Sequence, residues 1–354
     1  MRVLIGTNHF RDLAGSELVA LEIAEHFRGI GAQVEIYANI AGSPIASQAA
    51  ESGIPVVTDP RLVKPLTFDI VYFQHQIGCL FQYQEDNQDK ESSLFVLGRL
   101  STSEFLESSG WDHEAILGDA YLTNSAEAAA HVALNGAQLP IYTLENAAPD
   151  VFHQINPETS SDRSLENILL ISNRQCDELQ AAMTLLGAEG IECTHFGMTG
   201  EHIERIVPST LAKHDLVITF GKSVQYCLAS GTPVYVYGMF GGPGYLNEEN
   251  FELAAAYNFS GRCCGRRLTP QQIVAAVKAG YGDNVMFSRG LTERASRWHL
   301  PTHLKFLAGL PRSSNAERRR RMGSNLSAFI RERRLQQFLR TQALSKIARN
   351  NAGK

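Results

Sequence analysis

Apolar positions along the first 150 residues alternate between two periods. Residues 2–6 form a short apolar run of strand length. From Ser16 the spacing changes: Leu18, Leu21, Ile23, Ala24 and Phe27 fall on one helix face, which Gly29 and Gly31 end. Strand-like runs follow at 33–38, 54–58, 69–74, 120–123 and 141–144, with helix-like spacing at 103–108 and 125–135. Residues 153–166 lose the period and enrich in Ser, Pro and Asp, the composition of a linker. The pattern then restarts, with strands at 167–172, 192–197, 215–219 and 233–237 and helices at 178–188, 223–229 and 270–279. Strands alternating with helices at this spacing predict a parallel sheet covered on both faces. Two such series predict an α/β chain of two doubly wound domains facing a cleft, over 1–152 and 167–310, with a helical tail at 311–354. Ligands of open parallel sheets sit beyond the carboxyl ends of the strands.

Composition agrees with that size. A chain of 354 residues exceeds what one core usually organises, and 44% hydrophobic with 19% charged residues describes a globular protein. No apolar run approaches the roughly 18 residues a membrane span needs. The chain opens directly into a strand, without a charged and then apolar leader, so a cytoplasmic location is expected. The cysteines, Cys79, Cys176, Cys193, Cys227, Cys263 and Cys264, make no C-x-x-C pair and read as reduced structural thiols. Charge is uneven. From Pro311 onward twelve basic residues face two acidic ones, while the rest carries twenty basic and thirty-five acidic. Leu326, Phe329, Ile330, Leu335, Phe338, Leu339, Leu344 and Ile347 form roughly one stripe in this basic tail. Two fates fit it: peripheral docking on an anionic inner membrane face or a protein partner, or packing back onto the acidic body. No nucleic-acid motif is present, so no nucleic-acid partner is expected.

Three loops carry candidate chemistry. Gly15 and Ser16 open the first helix, where free amides and the helix dipole suit an anion; Ser16 as a plain N-cap fits as well. Phe220, Gly221, Lys222 and Ser223 lie between a strand and a helix. Gly221 allows close backbone approach, and Lys222 with Ser223 equips the helix start for a diphosphate. The segment is not a Walker A loop, because the upstream glycine position holds Leu216. A capped helix with a surface lysine is the bland alternative. Gly238, Gly241, Gly242, Pro243 and Gly244 follow a strand and read as a loop that either approaches a ligand or simply turns. His75, at a strand end, suits hydroxyl binding or proton transfer, or is a structural hydrogen-bonder. No D-x-D triad is seen, and no metal is expected.

Taken in order, these segments resemble bacterial GT-B glycosyltransferases of the family-4-like kind used in cell-surface polysaccharide synthesis. The matching landmarks are Ala14 to Glu17, Asn124 to Glu127, Asn146 to Phe152, Ile171 to Asn173, Phe220 to Ser223, Ala229 to Val234, Phe240 to Leu246 and Asn258 to Arg262. They span roughly residues 1–300, and the tail lies outside. The resemblance implies two Rossmann-like domains, the first on the acceptor side and the second holding the donor. It implies diphosphate contacts from Gly15, Lys222 and Ser223, with Ser16 and Gly221 beside them in the donor set, and sugar or phosphate contacts from Gly241 and Gly242. Asn173 and Gly197 complete the donor set, and His75 matches a cleft histidine of catalytic type. The paired glutamates of the family align with Ile218 and Tyr226, neither acidic, which leaves the ribose to Gln225 or Tyr226. The expected reaction is hexosyl transfer from a nucleotide-diphosphate sugar to a hydroxyl of a glycan or lipid-linked acceptor, with no cofactor beyond that co-substrate. An epimerase of the same fold and a non-catalytic scaffold subunit are the rivals.

Overall fold

A computed structural model describes residues 1–103, 107, 109–154 and 164–352. The helix expected at 103–108 and most of the linker at 153–166 lie outside them. The chain divides into two units, one of residues 1–124, 128–143 and 304–354, the other of residues 125–127 and 144–303.

The first unit holds a wholly parallel seven-stranded sheet. Its strands are β1 (Arg2–Phe10), β2 (Gln33–Ala41), β3 (Val56–Val57), β4 (Ile70–Gln74), β5 (Leu94–Arg99), β6 (Ala120–Thr123) and β7 (Ile141–Thr143), in the order β3-β2-β1-β4-β5-β6-β7. Every residue of β4 and β5 is buried, as covering on both faces requires. β1 runs past the expected end at Gly6 to Phe10, pairing with β2 as far as Phe10↔Ala41. Backbone pairing is indifferent to the polar Thr7, Asn8 and His9, and the wholly buried Phe10 closes the strand. β5 was not among the expected strands.

The second unit has β8 (Asn167–Ile171), β9 (Glu192–Phe196), β10 (Leu216–Thr219), β11 (Val234–Gly238) and β12 (Gly241–Tyr245), in the order β12-β11-β10-β8-β9. β12 pairs antiparallel with β11, so the glycine-rich stretch expected to be a loop is an edge strand. Pro243, which donates no hydrogen bond, is tolerated in a strand at the edge of a sheet.

The tail packs back. Its helices Asn315–Ser324 and Leu326–Ala352 belong to the first unit. Arg318 is fully buried, pairs with Asp119 at 2.7 Å, and donates to the carbonyls of Leu117 (2.6 Å) and Ser93 (3.1 Å). Asn315 reaches Ser93 Oγ at 2.9 Å and the Lys90 carbonyl at 3.0 Å. Phe329 enters the core beside Tyr83, and Glu332 pairs with His113. The expected single stripe is therefore divided: Phe329 faces inward while Leu335, Phe338 and Leu339 stay exposed. Among the described residues no helix is long and apolar enough to cross a membrane.

Candidate functional site

In the second unit the chain goes from β8 to β9 on one side, then crosses to β10 on the other. The strand order reverses between β8 and β10, and the crevice outside their carboxyl ends is where such sheets take ligands. The turn leaving β10 is Phe220–Gly221, and the helix Lys222–Ser230 starts directly after it. Gly221 has φ 66° and ψ −139°, a conformation that side-chain-bearing residues avoid, and a Cβ built there would meet nothing within 4 Å. The turn is braced from below. Gly221 N–H donates to the Phe259 carbonyl at 2.9 Å, and Val224 N–H donates back to Gly221 at 3.0 Å. Among the described residues nothing accepts from the Ser223 amide or hydroxyl. Lys222 is not the surface lysine of the bland reading. It is 8% exposed, donates from Nζ to the Ala147 carbonyl at 3.0 Å, and lies 5.0 Å over the Tyr226 ring.

Gln225 and Tyr226, the residues expected at the ribose, are turned inward. Gln225 is 1% exposed; with its amide nitrogen facing them, it donates to the carbonyls of Lys222 (2.8 Å) and Gly221 (2.9 Å). Tyr226 stacks on Phe152 with centroids 4.4 Å apart. Both build the support under the turn. Gly241 and Gly242 are likewise fitted against the protein's own backbone. A Cβ on Gly241 would lie 2.0 Å from the Arg266 carbonyl oxygen, and one on Gly242 would lie 2.0 Å from that of Val236. The missing side chain of Gly242 serves the hairpin, and that of Gly241 the close approach of the Arg266–Arg267 backbone. At Gly197, φ is 135° and a Cβ would meet the Ser172 carbonyl at 2.1 Å. Asn173 Oδ1 accepts from Met198 N–H at 3.0 Å, joining the loops that leave β8 and β9.

The first unit has its own reversal, between β1 and β4. His75 and Gln76 follow β4 with φ 60° and 56°, two adjacent left-handed residues that are not glycine. Such backbone persists only where the surroundings enforce it. Asn8 N–H donates to His75 Nδ1 at 3.3 Å, with Thr7 Oγ1 at 3.2 Å. An N–H donor at Nδ1 fixes the neutral tautomer with its proton on Nε2. Burial, helped by the charges of His9 and Arg99, lowers the His75 pKa to about 4. This imidazole is a neutral hydrogen-bonder near pH 7.

Beside it lies a cluster that sequence reasoning missed. Arg99, 1% exposed, reaches Glu114 at 2.6 Å and Glu107 at 3.2 Å, and its guanidinium sits 3.9 Å over the Trp111 ring. Gln76 donates to Glu107 at 3.1 Å. Burial raises the Glu107 carboxyl to about 7, with Glu114 adding to the rise and Arg99 opposing it. An arginine closing an apolar run was the available signal. Gly15 opens the helix Gly15–Gly29 with open space at its Cβ. Ala14 holds the N-cap position, so Ser16 is not the cap. Glu17 turns under the loop and accepts from the amides of Arg11 (3.3 Å) and Asp12 (2.9 Å), while burial pushes its carboxyl up to about 7. Among the described residues no group of three His, Cys, Asp or Glu side chains is placed to hold a metal ion.

No family model matches this chain, and no curated protein matches it in sequence. Solved structures do. HepE of Anabaena in complex with UDP-glucose is similar at 13% identity, over 86% of this chain and 98% of that one, with a TM-score of 0.57. Its complex with UDP gives 13%, 87%, 98% and 0.56. WaaG, a glycosyltransferase involved in lipopolysaccharide biosynthesis, gives 10%, 87%, 99% and 0.53. At these identities the likeness establishes the fold. The chain has the GT-B fold of two Rossmann-like units, as the resemblance implied.

Proposed function

We propose that this protein transfers a sugar from a nucleoside-diphosphate sugar to a hydroxyl acceptor, a glycan or a lipid-linked saccharide. One observation carries the reading: the Gly221–Ser223 turn presents open backbone and a helix N-terminus at the strand-order reversal, with the Lys222 charge fixed beside it. That HepE was solved with UDP-glucose and with UDP adds support. The leaving diphosphate would take the Ser223 amide and hydroxyl, with Gly221 allowing close approach and Lys222 neutralising charge as it develops. In the first unit, the amides at Gly15 and Ser16 would suit an anionic group of a substrate. His75 would donate from Nε2 to a sugar or acceptor hydroxyl. The donor is the one co-substrate proposed, with hexosyl transfer in the cytoplasm and no metal.

Lys222→Ala tests this: turnover of a nucleoside-diphosphate hexose should fall about 10²–10³-fold with the melting transition retained. Undiminished turnover rejects the assignment. Incubation with donor alone separates transfer from epimerisation, which needs no acceptor. The scaffold reading has one observation in its favour: Ile218 and Tyr226, aligned with the family's glutamates, are both buried. It predicts nucleotide binding without turnover of any donor.

A further inference from the structure

The first unit contains a hollow of about 570 Å³ between the segment that leaves β3 and the helix Leu326–Ala352. Its charge is unbalanced, and the arginines that line it are fixed in place. Arg333 donates from Nε to the Cys79 carbonyl at 2.7 Å and from Nη2 to the Phe81 carbonyl at 2.6 Å. Arg340 donates from Nη2 to the Thr58 carbonyl at 2.8 Å. Carbonyl oxygens hold a guanidinium in position without cancelling its charge. Among the described residues no carboxylate lies within ion-pair distance of Arg333 or Arg340. Arg340 also hydrogen-bonds to the Tyr37 hydroxyl, a neutral partner that leaves its charge in place.

The acidic residue of the lining, Asp59, is already engaged. Arg61 grips it at 2.6 Å, and those hydrogen bonds hold its carboxyl at about 2. Three guanidinium groups therefore face one carboxylate across a polar concavity. Like charges converging in one hollow repel unless an anion lies between them. Planar guanidinium forks also match the oxygens of a phosphate.

We propose that this hollow binds a phosphate monoester, with Arg333 and Arg340 on its oxygens and the Gln82 and Thr341 side chains toward the group it esterifies. The proposal concerns the first unit alone and does not depend on the transfer reaction. Two sources share the chemistry, a soluble phosphorylated compound and a lipid headgroup.

The test uses the full chain. Isothermal titration with inorganic phosphate should give saturable binding that weakens at least tenfold in Arg340→Gln. Gln337→Glu serves as the second variant, because it adds a carboxylate to an exposed position of the wall and removes no side-chain bond. Its binding should also fall at least tenfold, with thermal melting as the control for folding. Flotation with phosphatidylcholine vesicles, with and without phosphatidic acid, separates the sources. Flotation that requires phosphatidic acid and is lost in Gln337→Glu assigns a lipid headgroup. Phosphate binding lost in Gln337→Glu without flotation assigns a soluble ester. Absence of saturable phosphate binding, or equal binding by Gln337→Glu, overturns the site.

Discussion

The two sheets end differently at their carboxyl edges. At the edge of the seven-stranded sheet the protein's own groups are locked to one another, with Arg99 between two glutamates and His75 pinned by Asn8. At the edge of the five-stranded sheet the β10 turn leaves open space over Gly221, and among the described residues nothing accepts from the Ser223 amide. The first arrangement is settled by internal electrostatics, the second by backbone shape. Substitutions at the Arg99 cluster should therefore disturb stability, and those at the Gly221 turn ligand chemistry.

The largest contrast lies between Arg99 and Lys222. Arg99→Leu strands Glu107 and Glu114 without their cation and should cost about 3–5 kcal/mol in urea unfolding. Lys222→Ala should cost only about 1 kcal/mol while removing most turnover; equal stability losses would erase the distinction. Glycines refine it further. Gly242→Ala drives a Cβ into the Val236 carbonyl and should destabilise by about 1–3 kcal/mol. Gly15→Ala has open space in a helical position, so it should stabilise by about 0.4–1 kcal/mol while weakening substrate binding by titration. Stabilisation with binding unchanged would remove Gly15 from the site.

The smallest effect is in pH. The folded pKa of His75 is about 4 against 6.5 for the free group, so the folded state favours the neutral ring. Its contribution is present above pH 6.5 and is lost as pH falls toward 4. Glu17 and Glu107, raised to about 7 from 4.5, act oppositely, their contributions lost as pH rises through 7. His75→Gln should flatten the acid limb of stability against wild type at each pH. An unchanged limb would show that the ring is not desolvated as described.

Much of the fold was legible because buried parallel strands are continuous apolar runs, as at 70–74 and 216–219. β12 was not, because glycine and proline mark turns far more often than strands, and the partner that makes Gly241–Tyr245 a strand is a tertiary matter. The turn at Gly221 was readable from residue type and its place after a strand. The inward direction of Gln225 and Tyr226 was not, since helix phase depends on where the helix begins. Arg99 and Arg318 escaped for a related reason: burial of an arginine is decided by carboxylates and carbonyls distant in sequence, here Glu114 and Asp119.

Arg318, Asn315 and Phe329 complete the interior of the first unit, although residues 304–354 are translated after the whole second unit. The unit whose synthesis begins first is thus completed last, while residues 144–303 can close as soon as they emerge from the ribosome. Until the late helices arrive, Asp119 lacks its cation and the Tyr83 surface lies bare. A ribosome halted short of residue 318 would therefore carry a finished second unit beside a first unit still open to chaperones and proteases.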